Sequence, residues 1–141
     1  MEPERLRLLD FYLLFPSAVV EMRLPRGATA WRKRFRGLSN PYVFPEGSSR
    51  SVFRQVRPIH EHGVALLAAK GLLDPDAFQE GRIESSFRSL PAGLAELVHS
   101  LTEPDAMVLR FFREVADQLA LVGRDGLKDR SGLMEFRYDT T

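Results

Sequence analysis

The sequence predicts a mainly α (α+β) fold: a helical, winged-helix-like domain carrying a small antiparallel sheet. Three observations predict it. Apolar residues recur at helical spacing through much of the chain, most regularly at Val108, Phe111, Phe112, Val115, Leu119 and Val122. Two short stretches alternate instead, Ile83–Ser85–Phe87 and Met134–Phe136–Tyr138, the period-two mark of a half-buried strand. The segments 49–57 and 59–70 read as two helices in tandem, as in a helix-turn-helix, with a very short turn between them.

Each element has its own local reason. Glu4 to Phe15 is an apolar helical run that Pro16 ends, because proline lacks the backbone donor and clashes with the preceding turn. Ser17 to Met22 is a second, offset helical piece, and Arg23 to Gly27 a loop. In Ala28 to Leu38, Trp31, Phe35 and Leu38 form a stripe at i, i+4 and i+7. Residues 39–49, with two prolines and a glycine, make a loop. Val52, Phe53 and Val56 point inward from the next helix. Ile59 to Lys70 follows, closed by Lys70, Gly71 and Leu72 in the order of a left-handed helix stop. Asp74–Pro75 caps a single turn that ends at Gly81. Arg82 to Phe87 and residues 133–139 supply the two strands. Between them lie a helix opened by Ser89–Leu90–Pro91, with Leu94, Leu97, Val98 and Leu101 in its stripe, and a longer one from Glu103 to about Leu121. Thr102 and Asp105 start the latter as a capping box.

Composition bounds the function. A chain of 141 residues with 44% hydrophobic content suits one domain over 1–141. The absence of cysteine excludes a disulfide scaffold, a thiol nucleophile and a thiolate zinc site, and fits a cytoplasmic location. The N-terminus mixes Glu2 and Glu4 with Arg5 and Arg7, unlike a secretory signal. The apolar run Phe11 to Phe15 is far short of the ~18 residues a membrane span needs, so no membrane is expected. No G-x-S-x-G elbow, Walker loop or dinucleotide fingerprint is present. His60 and His62 are two apart, so on a helix they diverge and no metal or other cofactor is expected. We therefore expect no enzyme activity.

Charge is unevenly placed. Residues 1–71 hold 12 Lys/Arg against 6 Asp/Glu, and residues 72–141 hold 8 against 13. The densest cluster is Arg23, Arg26, Arg32, Lys33, Arg34 and Arg36, with no acid among them. Such a cluster suits nucleic-acid phosphates, an acidic protein surface, or solvent alone, and charge sign does not choose among these. The stretch Leu8 to Pro16, LLDFYLLFP, carries more apolar surface than one helix face needs. With Leu6, Leu9 and Leu13 facing the core, Phe11, Tyr12 and Phe15 become a candidate partner interface.

The succession LLDFYLLFP, a basic stretch, HEHGVALLAAKGLLD and a closing helix and strand resembles the small middle-component proteins of bacterial ABC-three-component conflict systems, over most of the chain. The resemblance implies an accessory subunit that docks on an SMC-like ATPase of the SMC/ABC type. A third, effector component and foreign phage or plasmid DNA complete the expected assembly. It brings no catalytic residue with it. The alternative, from the helix pair and the basic first half, is a stand-alone winged-helix transcriptional regulator binding double-stranded DNA.

Overall fold

The computed structural model describes residues 1–38 and 47–134. Among them every regular element is helical, and the only β-type pairing is a single antiparallel bridge between Leu73 and Ser85. The expected sheet, and the winged-helix-like fold with it, are therefore corrected to an all-helical arrangement. Residues 82–87 fail as a strand for a physical reason. Ile83 and Phe87 are only half-buried and Ser85 is exposed, so the alternation has no core to face, and an isolated two-stranded ribbon is marginal in water. Leu133 and Met134 are not in a strand. Residues 135–139 of the second expected strand lie outside the described residues, as do residues 39–46 of the expected loop.

The helix-turn-helix is also corrected. α3 (Ser49–Gln55) and α4 (Arg57–Ala69) meet at one residue, Val56, which itself has right-handed helical angles. No room remains for the 3–4-residue turn that sets two such helices at an angle.

The core is an aromatic cluster assembled by four helices. α1 (Pro3–Leu14) supplies Leu8, Phe11 and Tyr12; α2 (Ala30–Arg36) supplies Trp31 and Phe35; α3 supplies Phe53; α7 (Glu103–Glu114) supplies Val108, Phe111 and Phe112. Their rings meet edge to face, with Phe11–Phe53 at 5.3 Å, Trp31–Phe111 at 5.6 Å and Phe35–Phe111 at 5.6 Å. A 3-10 turn over Pro16–Glu21 lies against α2 and adds Ala18 and Val19. The short α8 (Leu127–Ser131) closes the cluster with a fully buried Leu127. Gly126 lets the chain pass there, since a Cβ on it would sit 2.5 Å from the Val122 carbonyl oxygen.

Two predicted helix boundaries, one stop and one start, are observed. Gly71 takes φ +69 after α4, with the Gly71 N–H bonded to Ala68 O and the Leu72 N–H to Leu67 O, the paired bonds of a Schellman motif. Thr102 and Asp105 form a reciprocal capping box. The expected run of α7 to Leu121 is shorter, because the β-branched Val115 leaves helical geometry at φ −122 and a 3-10 turn over Ala116–Gln118 follows. The Arg5 guanidinium fixes that exit. It is 8% exposed and donates to Ala116 O at 2.8 Å and Leu119 O at 3.0 Å.

α4 and α6 (Ala92–His99) differ from the rest in burying no residue at all. With α5 (Pro75–Gln79), which buries only Ala77, they make up an arm of the chain that supplies no buried residue to the aromatic core. The arm is tied to the N-terminal segment and to α1. Met1 exchanges two backbone hydrogen bonds with Ile83, at 2.8 and 3.1 Å, and His60 Nδ1 lies 2.9 Å from Asp10 Oδ2.

Candidate interaction surfaces

The first helix is closed by its own chain. Phe11 and Tyr12 are each 1% exposed, and Phe15 is half-buried with its ring 5.2 Å from that of Phe11. The partner-interface role expected of Phe11 and Tyr12 is thus replaced by a core role. The helix presents Leu8, Phe11, Tyr12 and Phe15 inward, at i, i+3, i+4 and i+7, and leaves Leu6, Leu9 and Leu13 half-buried. Both stripes have helical spacing, and the aromatic one removes more apolar area from water. Burial drives the Tyr12 phenol far above its ordinary value, and Glu21 adds to the shift.

The basic stretch divides into engaged and outward-facing cations. Arg32 is engaged, with Nε donating to Val20 O at 3.2 Å and Nη2 to Met22 O at 2.9 Å. Arg23 is engaged too. Its Nη2 lies 2.7 Å from Asp129 Oδ2, and its backbone N–H bonds to Arg130 O. The N–H of Asp125 and then Arg23 hold the Asp129 carboxyl below its ordinary 3.8. Arg26, Lys33, Arg34 and Arg36 are exposed. Arg34 stacks 4.6 Å over the Trp31 ring, which keeps the charge outside and the indole inside.

The histidine pair does not converge. His60 turns to Asp10, Glu61 takes the Arg57 guanidinium at 2.6 Å, and His62 faces solvent. No group of three or more metal-ligating side chains comes together among the described residues.

What the sequence reading missed is the outer surface of the arm. Ile59, Leu66 and Leu67 of α4 stand exposed, as do Leu97 and Val98 of α6 with Leu90 and Leu101 at its ends; Ile59 reaches 70% and Leu97 62%. Their helical spacing was legible, but periodicity does not tell whether the matching surface lies in the same chain. Covering one such side chain is worth ~1.5–3 kcal/mol, so this surface carries a large unrealised burial. A second missed feature is a row of arginines. Arg50, Arg54 and Arg57 fall at i, i+4 and i+7 across the α3–α4 junction, a spacing that marks one helix face and was readable from the sequence alone.

A scaffold that is helical throughout the described residues, with an aromatic core and exposed apolar side chains on α4 and α6, defines an interaction protein by its surfaces. The comparison with protein families places it more narrowly. A family model described as ABC-three component (ABC-3C) system Middle Component 5 matches residues 1–139, and the chain belongs to that family. No match was found among curated proteins or among solved structures. As a middle component it works with the other components of such a system. No helix among the described residues is long and apolar enough to cross a membrane.

Proposed function

We propose that the chain is a non-catalytic, cytoplasmic accessory subunit in a bacterial defence system, bridging an SMC-like ATPase and an effector component that act on phage or plasmid DNA. The observation that carries this reading is the arm. Two helices that bury nothing, α4 and α6, each display large aliphatic side chains, and apolar surface exposed on adjacent turns of a helix suits contact with a partner. The outward cations Arg26, Lys33, Arg34 and Arg36 of the basic stretch support a place near double-stranded DNA.

Co-expression with the other two components of its system tests the reading. The three should co-elute in size-exclusion chromatography, and Leu97→Glu with Val98→Glu should release this subunit while leaving its melting temperature unchanged. A wild-type chain that elutes alone as a monomer from a strain producing all three sinks it. Duplex retention that Lys33→Glu with Arg36→Glu leaves unchanged removes DNA from the proposal.

A further inference from the structure

The outer side of α2 and of the 3-10 turn before it, Arg26–Ala28, carries charge of one sign only. Arg26, Lys33 and Arg36 are exposed and make no hydrogen bond or ion pair with any described residue. Arg34 meets only the Trp31 ring, at 4.6 Å. From Met22 to Leu38 there is no Asp or Glu. On the 3-10 turn packed against α2, Glu21 accepts from the Ser49 hydroxyl at 2.8 Å, and Asp129 is taken by Arg23. Three cations therefore stand without a partner among the described residues, and a fourth is held by an indole.

A second observation is what this side lacks. Trp31 and Phe35, the large apolar groups of α2, are buried in the core. No described large hydrophobic side chain from Phe15 to Pro58 is exposed. A protein interface is organised round apolar and aromatic groups, with charge at its rim. A helix lying on a membrane needs apolar groups to enter the lipid. Single-stranded nucleic acid is held by aromatic side chains on which its bases stack. None of these finds its apolar half here. A duplex needs none, because its bases are already stacked inside and its outside is phosphate, which cations contact directly.

We propose that this face is a duplex-DNA contact that grips the phosphate backbone and does not read the sequence. The proposal rests on the accessory-subunit reading and names the part of DNA that the basic helix touches. Lys33 and Arg36, at i and i+3, share one side of α2, and Arg26 comes from the preceding turn. Arg34 joins them by exchanging the indole for a phosphate, since a cation–π contact at an exposed site is weaker than a charge-assisted hydrogen bond. Base reading has little to work with. The carboxamides and carboxylates that pair with adenine and cytosine are absent from Met22 to Leu38.

The test uses the isotope-labelled full chain and two short duplexes of unrelated sequence, with amide shifts followed by NMR at low salt. Shifts should centre on residues 26–36, and the two sequences should bind within about threefold of each other. Affinity should fall with salt at a log–log slope of about −3, the value for three to four neutralised phosphates. Lys33→Gln with Arg36→Gln should bring the slope to about −1 and leave the circular dichroism melt unchanged, because both side chains are exposed. A single strand of the same length should bind several-fold more weakly. Discrimination of more than tenfold between the sequences, equal or tighter binding of the single strand, or shifts confined to other residues overturns the proposal. The double variant should still co-elute with the other two components. Its release from them makes this face a protein contact, which overturns the proposal and leaves the accessory role standing, as does a co-eluting chain that binds no duplex. A wild-type chain that neither co-elutes nor binds duplex overturns both.

Discussion

Arg32→Ala separates the engaged from the outward cations of the basic stretch. In the folded chain this side chain is half-buried, and it ties α2 to the end of the preceding 3-10 turn through Val20 O at 3.2 Å and Met22 O at 2.9 Å. A hydrogen bond to a charged group contributes ~1.5–3 kcal/mol net when well made. The Met22 bond is well made, the Val20 bond is long, and solvent reaches part of the side chain, so the low end of the range for one and less for the other gives about 2 kcal/mol. For a 141-residue chain, a kilocalorie shifts the melting temperature by roughly 3–4 °C, so Arg32→Ala should melt about 7 °C lower. Lys33→Ala and Arg36→Ala, whose side chains are exposed, should stay within ~0.5 kcal/mol of wild type. Calorimetry on the three variants, paired with duplex retention at a temperature where all are folded, reads both effects. If Arg32→Ala melts with the other two, its carbonyl contacts contribute nothing and the division of the cluster is unfounded. The comparison also warns against replacing the four cations 32, 33, 34 and 36 together, because lost retention then mixes unfolding with lost charge.

Other predictions follow from the same bonds and burials. Arg5→Met takes the guanidinium from the Leu119 carbonyl and leaves the Ala116 carbonyl with the Leu119 N–H alone, and should cost about 3 kcal/mol in urea unfolding, with Arg5→Lys recovering less than half because an ammonium cannot fork; a midpoint unchanged in Arg5→Met argues the clasp away. Phe11→Ala empties the centre of the contacts with Tyr12, Phe15 and Phe53 and should cost ~3–5 kcal/mol; a loss below ~1 kcal/mol, the size of an ordinary substitution, would mean that this ring is not packed as described. Asp129 has a lowered pKa in the fold, so its stabilisation is complete above its unfolded value and disappears as pH falls through the lower folded value. Wild type should therefore be more stable than Asp129→Asn at neutral pH, and their melting temperatures should converge in strong acid. A gap that does not change with pH contradicts this.

Local punctuation was legible in the sequence, and long-range closure was not. Pro16, Gly71, Asp74 and the Thr102–Asp105 pair act within a few residues, and each marks its boundary in the structure. The choice between the two stripes of the first helix depended on Phe53, Phe111 and Phe112, which are far along the chain, and the leucine stripe was expected inward where the aromatic one won. The end of α7 depended on Arg5, more than a hundred residues away. The expected strand at 82–87 had the right alternation and no apolar surface opposite it. The candidate site followed the same rule. Charge density drew attention to Arg23–Arg36, although two of those arginines serve the fold. The row Arg50, Arg54 and Arg57 was readable as one helix face, and Arg7 joins it only when α1 is laid beside α3 and α4.

The chain has one tryptophan. Trp31 is 7% exposed, with its inner side against Phe35 and Phe111 and the Arg34 guanidinium over its ring. This gives the protein a built-in optical reporter at the boundary between its interior and its basic helix. A ligand that draws Arg34 off the indole will alter the emission without unfolding anything, while unfolding will shift it to the red. Occupation of the basic helix and integrity of the core can thus be read separately, from one unlabelled fluorophore.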